Sequence, residues 1–306
     1  MFGRLAFALP LVFAQGAGGA WSGARPAECA PLAASSAANV WERAKYPVLR
    51  HYCDLLAGGA AKLASAPTPE ESREAIASAE EASRILPEHA APAVLRGRAL
   101  VSLGQYREAV ATFEEATARD PHALDDPAAL FAWGRALGRV GRAADAEEAF
   151  RALLPRAAGL SPAERGRAEL EAAFLAEARG VAGLDQAVAL FRQARRDAQD
   201  SLQVVASIAL ALALDRAGER EESRAADPAG KQDPRVAMKD LTVRDVLLDV
   251  GALPETDAMV AFALRDRDPA GAREAWAKYL AGPTGAGVWG DHARATASGP
   301  IKGRGR

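Results

Sequence analysis

The sequence predicts an all-α fold, a solenoid of stacked antiparallel helical hairpins. Three observations lead there. The 306 residues are rich in alanine, leucine, arginine and glutamate and only 6% aromatic, which favours helix almost everywhere. A spacing of alanine, an aromatic and alanine recurs along the chain at a nearly constant offset. Glycines and prolines punctuate the copies at matching places, as expected of a repeat whose units are helix, turn, helix, stop.

The segments follow in chain order. Residues 1–20 read as a secretory signal peptide: Arg4, an apolar run from Leu5 to Ala14, then small residues ending at Gly18-Gly19-Ala20. The run falls short of the ~20 residues that span a bilayer. A buried N-terminal helix is the alternative. Residues 21–66 form an N-terminal helical segment with its best-formed helix around Val40 to Leu63. The segment holds both cysteines, Cys29 and Cys53. An exported chain meets an oxidising compartment, so the pair is expected as a disulfide, with two free thiols as the alternative. Glu28 before Cys29 does not suit a lipoprotein cleavage site.

Residues 67–226 hold the repeats. The clearest unit contains LVSLGQYREAVATFEEATARDP, residues 100–121. Ala109, Phe113, Ala116 and Pro121 recur 34 residues upstream as Ala75, Ala79, Ala82 and Pro87. Gly97, Gly104, Ala109 and Phe113 recur 37 residues downstream as Gly134, Gly141, Ala146 and Phe150, the extra residues falling at Leu124-Asp125-Asp126. A third copy, LDQAVALFRQA, carries Ala187, Phe191 and Ala194. A fourth, more divergent copy keeps Ala211 and Gly218. The residue types have physical reasons. Small side chains at Gly97, Ala109 and Ala116 let two helices approach, and Phe113 fills the space between them. Gly104 supplies the left-handed conformation of a tight turn. Pro121 lacks an N–H and stops the second helix. Thr68-Pro69-Glu70-Glu71 and Ser161-Pro162-Ala163-Glu164 read as capping boxes that start helices, and Thr242-Val243-Arg244-Asp245 as a weaker one.

This pattern resembles the tetratricopeptide repeat (TPR) family. Residues 90–121 carry its small residue in the first helix (Gly97), its turn (Gly104 and Tyr106), its second-helix pattern (Ala109, Phe113, Ala116) and its closing proline (Pro121). They depart from it at Ala93 and Arg96, where the family has tryptophan and leucine. The resemblance extends over about 65–230. It implies a right-handed superhelix whose first helices line a concave groove. By that resemblance Val94, Arg98 and Val101 lie beside Phe131, Arg135 and Arg139, with Ile208 and Arg216 further along. An apolar floor with arginines suits a peptide or helix bearing acidic residues. Equally, the arginines keep an inner surface soluble. The lysine and asparagine of the family's carboxylate-clamp members are absent.

The stretch 227–239, with Pro228, Gly230 and Pro234, reads as a linker. Residues 240–282 give a helix and a final hairpin, in which Ala272, Trp276 and Tyr279 repeat the Ala109, Phe113, Ala116 spacing with larger side chains. This is a divergent repeat or a cap. The glycine-rich stretch 283–306 is expected to be partly disordered, with Trp289 docking back and a basic end at Lys302, Arg304 and Arg306.

No catalytic constellation, metal-ligand spacing or phosphate-binding loop is found, and no cofactor is implied. His51, His89, His122 and His292 are scattered, and runs such as Glu114-Glu115 read as solvated faces. A formal net charge of −2 argues against nucleic acid. The expectation is a non-enzymatic scaffold or assembly factor of the bacterial cell envelope, periplasmic or otherwise exported. Its partner is an envelope protein or peptide, and the mature chain has no transmembrane segment. The alternatives are an enzyme or accessory subunit acting on a cell-wall polysaccharide, and a homo-oligomer joined through the C-terminal hairpin.

Overall fold

The structure, a computed structural model, describes residues 26–30, 32, 46–64, 66–227 and 233–298. The signal-peptide expectation therefore lies outside the described residues. Every regular element among the described residues is helical. Helices pair as antiparallel hairpins in sequence order: α1 (Pro47–Lys62) with α2 (Pro69–Ile85), α3 (Ala91–Ser102) with α4 (Tyr106–Arg119), and α5 (Pro127–Arg139) with α6 (Ala143–Leu153). Next come α7 (Pro162–Glu177) with α8 (Val181–Asp197), and α9 (Asp200–Arg216) with α10 (Arg220–Ala226). First helices touch one another along the stack, α1 with α3, α3 with α5 and α7 with α9.

The sequence punctuation maps onto local geometry. Thr68 and Ser161 each accept from the backbone N–H three residues on, while Glu71 and Glu164 accept from the cap backbone. Gly104 and Gly141 sit at φ +73° and +84°, where an L side chain would be strained. A Cβ on Gly97 would lie 2.7 Å from the Phe113 ring, and one on Gly134 3.0 Å from Phe150, so each phenylalanine fills the space a missing side chain leaves. Phe113, Phe150 and Phe191 are buried, as are Ala109, Ala116, Ala146, Ala187 and Ala194. Tyr106 is half-buried and Pro121 exposed. Cys29 and Cys53 form a disulfide that ties a short 3-10 turn (Ala27–Cys29) to α1.

Beyond the repeats the chain is more ordered than its composition suggests. The linker stretch contains a short helix, α11 (Pro234–Ala237), packed on α9, with Ala237 buried. The cap of helix α12 (Leu241–Asp249) lies two residues before the one expected at Thr242. It is Asp240, whose Oδ1 accepts from the N–H of Thr242 at 2.8 Å and of Val243 at 3.3 Å. The last hairpin is α13 (Glu255–Leu264) with α14 (Pro269–Ala281), and Trp276 and Tyr279 are buried in it. The glycine-rich stretch forms a 3-10 turn (Pro283–Ala286) and helix α15 (Gly290–Ser298). Its Trp289 is buried and donates Nε1–H to the Glu177 carbonyl oxygen at 3.4 Å. The basic end of the chain lies outside the described residues.

Candidate functional site

The layer of first helices is covered over part of its length by the chain itself. Helix α12 lies on α5, α7 and α9 together. A Cβ on Gly138 would fall 1.9 Å from the Asp249 carbonyl oxygen, so the glycine permits the close approach of α5 and α12. The carboxylate of Asp249, fully buried, meets Arg135 Nε at 2.7 Å, Arg139 Nε at 3.0 Å and Arg167 Nη2 at 2.8 Å. Glu171, also fully buried, joins Arg167 Nε at 2.7 Å and stands 4.0 Å from Arg135. Arg139 bonds the Tyr106 hydroxyl and Asp245 and lies over the Tyr106 ring. Burial pushes the Glu171 carboxyl up to about 7, against the pull of Arg167 and with repulsion from Asp249 adding to the rise. For Arg135 burial acts downward, but Asp249 and Glu171 outweigh it and hold the guanidinium charged.

The six residues expected to line a groove therefore divide. Phe131 is buried edge-on against Phe150, and Arg135 and Arg139 are taken up by Asp249. Val101 is buried in the core. Val94 and Arg98 line an open pocket of about 410 Å³ at the N-terminal end of the layer. The pocket is bounded by α1, α3, the turns before α3 and α5, and Pro26–Glu28. Tyr52 Oη–H donates to Glu28 at 2.6 Å, and the neighbouring Cys29 fixes that wall covalently. Arg98 has no carboxylate within ion-pair distance among the described residues. Burial lowers its pKa, opposed by the fields of Asp126 and Glu164.

A second ionic cluster fastens the C-terminal helices. Arg216, 1% exposed, gives Nη1–H to Glu177 at 2.6 Å and Nη2–H to Glu255 at 2.8 Å, and its guanidinium lies 4.8 Å over the Trp289 ring. Tyr279 Oη–H donates to Glu255 at 3.1 Å. Burial raises the Glu177 carboxyl to about 7, against Arg216 and aided by Glu255. A pocket of about 270 Å³ adjoins, walled by Phe174, Tyr279 and Trp289. The two carboxylates converge, yet both are spent on one arginine. The arrangement clamps α7, α9 and α13 together and offers no separated acid and base.

Composition and spacing did not reveal Asp249, Arg167, Glu171 or Glu177. The available signal is weak: Arg167 and Glu171 stand four apart on a helix with no polar face, and Asp249 interrupts the apolar run Leu247-Leu248-Asp249-Val250. The histidines remain dispersed. His51 pairs with Glu81, His122 with Asp125 and His292 with Asp215, and His89, half-buried on the wall of the open pocket, stands 3.6 Å from Glu28. Among the described residues no group of three or more His, Cys, Asp or Glu is placed to hold a metal ion. No helix among them is long and apolar enough to cross a membrane. No family model matches the chain, and no curated protein matches its sequence.

Proposed function

We propose that this chain is an exported, TPR-like repeat protein of a bacterial cell envelope that binds a partner protein or peptide and performs no catalysis. The observation that carries the reading is the open pocket at Val94 and Arg98, on the same helix layer whose neighbouring stretch already holds a helix, α12. That layer accommodates a helix in cis, and its uncovered end has an apolar floor and polar walls suited to a ligand in trans. Export is supported by the signal-like N-terminus and by the disulfide, a bond that persists in oxidising compartments. The arginines first assigned to an acidic partner find their carboxylates in Asp249 and Glu171, so docking narrows to the N-terminal pocket.

Selection of a random 12-residue peptide library against the full chain tests this. Selected peptides should bind the wild type and lose affinity at least about tenfold on Ala123→Trp, which puts an indole into the pocket from a turn. Equal binding by that variant, with its helical circular dichroism intact, would move the docking surface elsewhere.

A further inference from the structure

The open pocket is acidic. Glu28, Glu88, Asp120, Asp125 and Asp126 line it, Asp126 also serving as the cap of α5. The opposing cations in the lining are Arg98 and Arg119, with Arg156 3.6 Å from Asp125 just outside it; the imidazoles of His89 and His122 stand 3.6 Å from Glu28 and 3.1 Å from Asp125. Arg119 is committed to Glu115 and to the His89 carbonyl oxygen, and Arg98 lies in the fields of Asp126 and Glu164. Glu88, Asp120 and Asp125 are exposed, so they act at the mouth, above a floor that includes Leu56, Val94 and Leu95. Such a site repels a carboxylate and attracts a cation that follows an aliphatic side chain.

The chain itself contains a matching segment. Residues 299–306, GPIKGRGR, place Ile301 beside Lys302, followed by Arg304 and Arg306, with no acidic residue. We propose that the pocket of one molecule receives this segment from a second copy, Ile301 on the apolar floor and the three cations against the carboxylates. The proposal rests on the pocket being the docking surface. Reach favours the second copy over the same one. Helix α15 ends at Ser298 and is held near α9 by the His292–Asp215 pair. Helix α3 packs on α5, Arg135 of α5 stands 4.0 Å from Glu171 of α7, and α7 packs on α9, so at about 8–10 Å per neighbouring helix α9 is roughly 25–30 Å from α3. Eight extended residues span at most about 26–29 Å, which leaves none to occupy the pocket of their own chain. Because the two surfaces differ, the contact is heterologous and joins copies head to tail.

Two measurements on the full chain test the proposal. In sedimentation velocity at low salt, the weight-average coefficient should rise with protein concentration. The triple variant K302E/R304E/R306E should remain monomeric. A fluorescein-labelled GPIKGRGR peptide should bind the triple variant. Affinity should fall about tenfold or more when Glu88→Lys and Asp120→Lys are added, and also at high salt, since exposed charges are screened. A wild type that stays monomeric throughout, or peptide affinity unchanged by the two lysines, overturns the proposal. Library peptides that bind and respond to Ala123→Trp while the tail peptide does not bind would also overturn it, and would leave the pocket as the docking surface. Loss of that Ala123→Trp response would instead remove the pocket reading on which the proposal stands.

Discussion

Asp249 concentrates at one residue what holds the C-terminal helices to the repeats. Its carboxylate is fully buried and is the shared partner of Arg135, Arg139 and Arg167. Removing it leaves Arg135 and Arg167 with Glu171 alone and Arg139 with only Tyr106 and the half-exposed Asp245, in a place water reaches poorly. Breaking one side of a buried ion pair typically costs about 3–5 kcal/mol, because the remaining charge keeps its desolvation cost without its compensation. Asp249→Ala should lower unfolding free energy by about that amount in urea titrations. Asp245 also pairs with Arg139, but its side chain is half exposed. Asp245→Ala should therefore cost under about 1 kcal/mol. Equal costs for the two would show that Asp249 is better solvated than its burial implies.

At the scale of elements, the hairpins were legible in the sequence because their determinants are local. Gly97 with Phe113, Gly134 with Phe150 and the caps at Thr68 and Ser161 act within one hairpin or one helical turn. Helix α12 itself was legible as a helix, but its place across α5, α7 and α9 was not. The Arg135–Asp249 bond joins residues 114 apart, and no periodic pattern encodes such a contact. Arg135 consequently read as a groove residue, since an arginine on an inner face looks the same whether its carboxylate comes from a ligand or from the chain. Trp289 docks back as expected, but the groups that hold it, Glu177 and Arg216, are both remote in sequence and were not legible. The disulfide acts on a single element pair. Its ends are 24 residues apart, for which the chain-entropy model gives roughly 3 kcal/mol. In a stack where each unit leans on its neighbours, that loss should fall mainly on the first hairpin. Reduction should accordingly speed amide exchange in α1 and α2 while leaving α7 to α9 near their oxidised rates. A uniform acceleration along the stack would mean that the hairpins unfold as one unit.

For the whole molecule, the buried carboxyl groups of α7 set how stability varies with pH. Glu169, Glu171 and Glu177 are each raised from 4.5 to about 7, burial being the largest cause in every case. A folded-state pKa above the unfolded one means that the native chain holds the proton more tightly. The resulting stabilisation is complete below about 4.5 and is lost as the pH rises through about 7. Carboxyls shifted the other way, among them Glu71, Asp215, Asp233 and Asp240, act only toward acid, where they begin to protonate in the unfolded chain. Between pH 5 and 8 they add no slope, since they are ionised both folded and unfolded. The urea midpoint should therefore fall from pH 5.5 to pH 8, and Glu177→Gln, neutral at every pH and still able to accept from Arg216, should flatten part of that fall. Helix α7 packs on α8 within the repeats and on α12 beyond them. Deprotonation thus loosens the joint between the two parts of the molecule, and amide exchange in α12 should quicken at pH 8 ahead of exchange in α3 and α4. A midpoint that rises across this range, or an α12 no more labile than the first hairpins, would show that these carboxyls are already ionised at pH 5.5 and that Arg167 and Arg216 overcome burial outright.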